Sequence, residues 1–426
     1  MTIAEKTTEC RALGLFVKSI MVFPLIYSVS FFENFKFIST ERISLIILLI
    51  YAFSFGNKRM GPSEARHNVL RMFFLQLFLL VYSSLILLAI GTGNGTNILT
   101  YIVNFLILVP VELYCLNNLF KNNDELMYVL FIVSMIQALI ITGTLIDPSF
   151  ANFVDTTFNV GSYYDYQHMR KVWYPGGISC ITSVGALKLS LGVISGMYLF
   201  QKTNGNVIYL ILTLFIIVIS TIVARTGLFI GVTAIVLLLL NMDVKRSNVL
   251  IILGSAIIAA FIGVVVYFLM ANDGGTQTLF TRLIALKENG IYEAFLKGYV
   301  SSRTTVIPEL SWKTIIGTGI VSGESGNEVV INADGGFIRM FCAVGLPLAM
   351  LFYGSLFYRM LRSVCLVRAN SIVHYAVTLL LFIMVMGEFK EPFFYTRYLF
   401  VFFYLVIYFY ERDNGYLRCN GCLTKF

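Results

Sequence analysis

Apolar residues in this chain come in long runs. The sequence is almost all hydrocarbon over about 13–32, 41–56, 69–90, 98–120, 126–146, 178–200, 207–223, 226–241, 249–270, 335–358, 371–387 and 393–410. Such runs match the roughly 17 to 25 residues with which a helix crosses a hydrocarbon layer of about 30 Å. They do not alternate with period two, which excludes a transmembrane β-barrel built from strands of about 10 residues. The pattern predicts an all-α polytopic membrane protein, one integral domain over residues 1–426 with about twelve spans. Val207 to Asn241 is the ambiguous stretch. As one helix it would be about 50 Å long, so we divide it at Ala224-Arg225-Thr226-Gly227 into two short spans.

Composition agrees, with 58% hydrophobic and only 13% charged residues. The net charge of +8 is explained by topology rather than by nucleic acid. With the N-terminus inside, Lys58, Arg59, Arg66, Lys121, Lys202, Lys245, Arg246, Arg359, Arg362, Arg368 and Arg412 all fall on the cytoplasmic side, as positive-inside sorting requires. Removing one crossing would send Lys245, Arg246, Arg359, Arg362 and Arg368 to the other side, which supports the division at Ala224–Gly227. Both termini are therefore expected in the cytoplasm, with large outer loops at 147–177 and 271–334. Met1 to Arg11 is polar and shows no cleavable signal peptide. The Cys419-Asn420-Gly421-Cys422 pair has no second pair or nearby histidine, so it is not read as a metal or redox site. No phosphate-binding G-x-x-x-x-G-K-[ST] signature is present, which argues against an ATP-driven pump.

The candidate chemistry lies in the outer loops. The first contains Tyr163, Tyr164, Asp165, Tyr166, Gln167, His168, Arg170, Lys171, Trp173 and Tyr174. Rings that stack on sugar C–H faces, beside polar groups that bond hydroxyls, are what a carbohydrate site needs. An interfacial belt explains any one of these aromatics, and their density beside Arg170 is what it does not explain. Arg170, Arg225, Arg303 and Arg339 are all placed outside. A cation in the first turn of a span, as Arg339 is, opposes the helix dipole and calls for a negative partner. Arg225 is held near the membrane by apolar runs on both sides. A lipid pyrophosphate would satisfy both, because guanidinium binds phosphate oxygens bidentately. Pairing with Asp165, Glu324, Glu328 or Asp334, or snorkelling to headgroups, is the alternative for each.

Within the long loop, Leu279–Leu286 and Ile291–Tyr299 read as amphipathic helices on the outer leaflet. Gly317-Thr318-Gly319 reads as a turn that can bring backbone N–H groups to an anion. Gly323-Glu324-Ser325-Gly326 does not fit a nucleophile elbow. Glu112 and Lys188 fall inside spans, where charges are rare and usually paired, and are read as a structural pair. His374 begins a span and is assigned no chemistry.

The order Arg303, Trp312, Gly317-Thr318-Gly319, then Asp334-Gly335-Gly336-Phe337-Ile338-Arg339 running into Val344-Gly345-Leu346, resembles the Wzy-type O-antigen and capsular repeat-unit polymerases. Ala224-Arg225-Thr226-Gly227 and Gly387-Glu388-Phe389-Lys390-Glu391-Pro392 are similar to patterns in the same family, and the resemblance covers about residues 150 to 400. It implies a GT-C-like, metal-independent, inverting glycosyltransferase without a cofactor, at the periplasmic face of the bacterial inner membrane. Its partners would be undecaprenyl-pyrophosphate-linked glycans, the bilayer, and a chain-length regulator and flippase of the same pathway. The pyrophosphate and sugar would be held by Arg170, Arg225, Arg303 (with Arg282 as its substitute), Arg339, Trp173, Tyr166 and Lys390. The base would be Asp334, or else His168, Glu324 or Glu328. An O-antigen ligase is the nearest alternative, although ligases typically carry an outer histidine where Asp334 stands. A flippase or other transporter would place its polar residues at the membrane midplane. A membrane protein without catalysis would leave the outer arginines unexplained.

Overall fold

The computed structural model describes residues 3–27, 40–56, 61, 63–90, 94–157, 182–241, 311–324, 335–369, 371–390 and 397–414. The expected span 249–270, the amphipathic segments within 279–299, Cys180 and the Cys419/Cys422 pair lie outside them. In chain order the elements are α1 (Ile3–Ile26), α2 (Thr40–Phe55), α3 (Glu64–Ile90), β1 (Asn94–Asn97), α4 (Ile98–Leu119), α5 (Asn123–Ile146) and α6 (Pro148–Thr157). They continue with α7 (Thr182–Lys202), α8 (Val207–Val223), α9 (Arg225–Asn241), α10 (Trp312–Ile316), β2 (Ile320–Glu324), α11 (Gly336–Val344), α12 (Leu346–Cys365), α13 (Ile372–Lys390) and α14 (Arg397–Asp413). The protein is predominantly helical and membrane-embedded. Among the described residues five helices, α3, α4, α5, α7 and α13, are long and apolar enough to cross a bilayer, and α1, α8 and α9 contain shorter apolar stretches. Large apolar side chains such as Phe53, Phe74 and Leu88 stand exposed on α2 and α3, as lipid-facing positions do.

The chain forms two compact units. Unit one takes Met1–Asn57, Asn118–Gly290 and Asn370–Leu379. Helix α7 is central to it and packs on α5, α8 and α9. Small residues allow this close approach, as is usual between helices in lipid. A Cβ on Gly192 would meet Ser134 of α5 at 2.3 Å, and one on Gly196 would meet Thr213 of α8 at 1.9 Å. The N-terminus of α5 is fixed by the Asn122 side chain, which accepts from the Glu125 N–H, while Glu125 pairs with Lys18 at 2.7 Å and Asp124 with Lys202 at 3.2 Å. Lys188 is buried, its ammonium 5.9 Å from the Tyr27 ring centroid.

The division between residues 223 and 226 is as expected. Ala224 alone separates α8 from α9, with extended backbone at φ −157° and ψ 152°. A Cβ on Gly227 would fall 2.3 Å from the Ser220 backbone, and one on Gly231 2.4 Å from Ile217, so the two helices fold back on each other.

Unit two takes Lys58–Asn117, Ile291–Ala369 and Leu380–Phe426. Helix α14 is buried along almost its whole length, and α3 packs against both α12 and α14. At one end Asn68 donates to the Ser363 hydroxyl at 2.8 Å, Glu64 lies 3.5 Å from Arg362, and the Ala65 N–H donates to the Glu411 carboxylate at 3.2 Å. Burial raises the Glu411 carboxyl above the ordinary carboxylate range. Phe105 of α4 meets Phe400 of α14 edge-on at 5.0 Å. Glu112 is buried in α4.

Three features of the structure go beyond the expected pattern. The span expected over 335–358 is two helices, because Gly345 breaks it at φ 84°, ψ 151°. The outer loop expected from Asp147 opens with a helix: Asp147 accepts the Ser149 N–H at 2.8 Å and Pro148 sits at the first helical position, a strong start signal. The chain also contains a two-stranded antiparallel sheet, β1 on β2, which a purely helical reading omits.

Candidate functional site

The end of unit two that carries α11 is built from backbone more than from side chains. Ser311 and Thr314 cap α10 reciprocally, the Ser311 N–H donating to Thr314 Oγ1 at 2.8 Å. Helix α10 turns its polar Thr314 inward and leaves Trp312, Ile315 and Ile316 exposed, the polarity of a segment that faces the membrane interface. Gly317 ends it at φ 95°, ψ 168°.

Gly317 and Gly345 both lie in a backbone region that is essentially confined to glycine, and they touch. A Cβ on Gly317 would sit 2.6 Å from the Gly345 nitrogen, and one on Gly345 2.1 Å from the Ile315 carbonyl oxygen. The chain crosses itself there, and the crossing is locked by three bonds. Thr318 N–H donates to the Cys342 carbonyl at 2.9 Å, Gly319 N–H to the Ala343 carbonyl at 2.8 Å, and the Thr318 hydroxyl to the Cys342 carbonyl at 3.2 Å. The last four carbonyls of a helix have no intrahelical partner, and those of Cys342 and Ala343 are two of them in α11, so the Gly317-Thr318-Gly319 turn serves as their external cap.

From this knot β2 runs antiparallel to β1, with Asn94 opposite Glu324 and Asn97 opposite Ile320. The Ile98 N–H donates to the Gly319 carbonyl at 3.0 Å, and the Tyr82 hydroxyl to the Ile316 carbonyl at 2.8 Å. These contacts tie α3 and the start of α4 to the same knot. Strand β1 was not expected from the sequence. Its signal was Gly91-Thr92-Gly93-Asn94-Gly95-Thr96-Asn97, an interruption between two apolar runs made only of Gly, Thr and Asn.

Helix α11 carries Phe337 and Arg339 in its first turns. The Arg339 side chain is half-buried, and the residue's backbone N–H donates to the Gly335 carbonyl at 3.0 Å. Phe337 lies 4.6 Å from the Tyr353 ring of α12 and 5.1 Å from Phe389 of α13.

Of the sequence-derived site residues, Arg339 is the one with a described side chain. Glu324 ends β2, Lys390 ends α13 and Arg225 begins α9, each placed by its backbone. Glu324, Arg339 and Lys390 belong to unit two, and β2 and the end of α13 both pack on α11. Arg225 belongs to unit one. Asp334, His168, Glu328, Arg170, Arg303, Arg282, Trp173 and Tyr166 lie outside the described residues. Among the described residues no cluster of His, Cys, Asp and Glu is suited to a metal ion.

Comparison with protein-family models, with curated proteins and with solved structures finds no match for this chain. The fold by itself defines a class, a helical membrane protein with a glycine-built knot at one end of its second unit.

Proposed function

We propose that the chain is an integral-membrane glycosyltransferase of the repeat-unit polymerase class, with about twelve spans, both termini in the cytoplasm and its active site at the periplasmic face of a bacterial inner membrane. One observation carries this reading. Trp312, Gly317-Thr318-Gly319, Gly335 to Arg339, Val344-Gly345 and Gly387-Glu388-Phe389, the described unit-two pieces behind the resemblance, pack together around α11 although they are spread from residue 312 to residue 389; Arg303 and Asp334 lie outside the described residues, and Ala224–Gly227 belongs to unit one. The exposed Trp312 and isoleucines of α10 support a position for that end at a membrane interface, where a lipid-linked substrate would present its headgroup.

In this reading the acceptor hydroxyl attacks the anomeric carbon of the lipid-linked glycan as the bond from that carbon to the pyrophosphate oxygen breaks. The electron pair goes to the pyrophosphate, and the configuration inverts. Arg339, with Arg170, Arg225 and Arg303 or Arg282, stabilises the charge as it develops on the leaving group. The hydroxyl proton passes to a carboxylate or imidazole, Asp334 first and then His168, Glu324 or Glu328. Trp173 and Tyr166 stack on the sugar, and Lys390 adds positive charge at the end of α13.

The test is to incubate purified protein with a lipid-linked repeat unit and resolve the product on a gel. The reading expects a ladder that survives a chelator and is lost in Arg339→Ala and Arg303→Ala. A requirement for lipid A core would make the chain a ligase, and substrate translocation without product would make it a flippase.

A further inference from the structure

Glu388 is 2% exposed, two residues before the end of α13, and accepts a hydrogen bond from the Tyr353 hydroxyl of α12. A carboxyl buried in a membrane-embedded helix is costly and usually functional. Joining two helices does not require one, since in the same unit the neutral Asn68 and Ser363 side chains already link α3 to α12. What the Glu388 oxygen adds is direction, because a hydroxyl that donates to it fixes where the Tyr353 side chain points.

What the Glu388 contact directs is the Tyr353 ring. That ring is 4.6 Å from Phe337 and 6.4 Å from Phe341, both of α11, and it stacks on Phe357 at 5.8 Å. Phe389, the neighbour of Glu388, meets the other side of the cluster through Phe337 at 5.1 Å. Phe337 is therefore held by two residues that Glu388 and its own helix place, and Arg339 follows two positions later. Tyr353, Phe357, Met360, Met384 and Glu388 also line a cavity of ≈ 10 Å³, room for about one water molecule.

We propose that Glu388 is a positioning residue: it fixes Tyr353, Tyr353 and Phe389 clamp Phe337, and the clamp sets the first turn of α11 and so the aim of Arg339. The inference rests on reading Arg339 as a ligand of the diphosphate. An arginine that acts on charge developed in the transition state affects turnover more than substrate binding. Glu388→Ala and Tyr353→Phe should therefore lower kcat by about 100-fold with KM nearly unchanged. Glu388→Gln keeps an acceptor of the same shape and should recover most of the loss.

A second readout needs no chemistry. The labelling rate of Arg339→Cys by a membrane-impermeant maleimide should change severalfold when Glu388→Ala is added, and return when Glu388→Gln is added instead. If the labelling rate is the same in all three backgrounds, or if Glu388→Ala lowers only the melting temperature while kcat stands, Glu388 is a helix staple and the proposal is wrong. If wild-type protein forms no polymer but labelling responds as described, the transferase reading fails and the positioning of residue 339 stands.

Discussion

Two arginines in the first turns of helices, one in each unit, are set in place by different means. Arg225 follows one extended residue, Ala224, and its helix lies back on the preceding one because Gly227 fits against the Ser220 backbone. The closest contacts at this turn come from nearby chain, Gly227 on Ser220 and Gly231 on Ile217, and α7 packs against both helices. Arg339 sits in a nine-residue helix whose C-terminal carbonyls are capped by Thr318 and Gly319 and whose first turn is clamped by Tyr353 and Phe389. Its placement is assembled from segments up to fifty residues away in sequence. A turn of the first kind is fixed mainly by contacts close in sequence. The second kind depends on the whole end of its unit and can be loosened from several directions.

That difference can be broken at its strongest points first. In Gly345→Val the side chain meets the Ile315 carbonyl and the backbone must hold a conformation confined to glycine, so a loss of roughly 3 kcal/mol or more is expected, seen as a collapse of the folded fraction after detergent extraction. Gly227→Val places a side chain on the Ser220 backbone at an ordinary helical φ. Its cost is expected at about 2 kcal/mol from overpacking, and a full unfolding equal to that of Gly345→Val would remove the distinction between the turns. Thr318→Val deletes one hydroxyl bond to α11 and should cost about 1 kcal/mol in a thermal melt.

The smallest effect lies at the opposite end of unit two. Burial raises the Glu411 carboxyl above its unfolded value, so the folded chain holds that proton more tightly. Its contribution to stability is full at low pH and is lost as pH rises through the folded value. Thermal melts of Glu411→Gln against pH should therefore have a flatter slope than wild type across the weakly acidic range.

Local chemistry was legible in the sequence, and remote backbone contact was not. Apolar runs placed α2, α3, α4, α5, α8 and α9 within a few residues, and length together with charge sorting divided 207–241 where α8 gives way to α9. Asp147-Pro148 is a helix start that hydropathy passed over because Pro148–Thr157 is too short and mixed to register as a span. The break at Gly345 was hidden since a glycine inside an apolar run reads as a packing residue until its φ is known. The β1–β2 pairing joins segments more than two hundred residues apart, and β1 is Asn-Gly-Thr-Asn, with no β-branched run to announce it. The site shows the same limit. Charge and dipole singled out Arg339, but Glu388 stood only as one residue of a motif and nothing singled out Tyr353; their hydroxyl–carboxyl contact brings them together.

The account rests on Arg339 meeting a diphosphate as it leaves, and the direct measurement is the rate of undecaprenyl pyrophosphate release from a lipid-linked repeat unit by purified wild type, Arg339→Lys and Arg339→Ala. Loss of one preorganised donor to a developing anion costs about 10²–10³ in kcat, so Arg339→Ala should fall by that factor. Arg339→Lys should lie between, because an ammonium keeps the charge without the bidentate fork. Equal release rates for all three proteins, with each folded and membrane-inserted, would contradict the account.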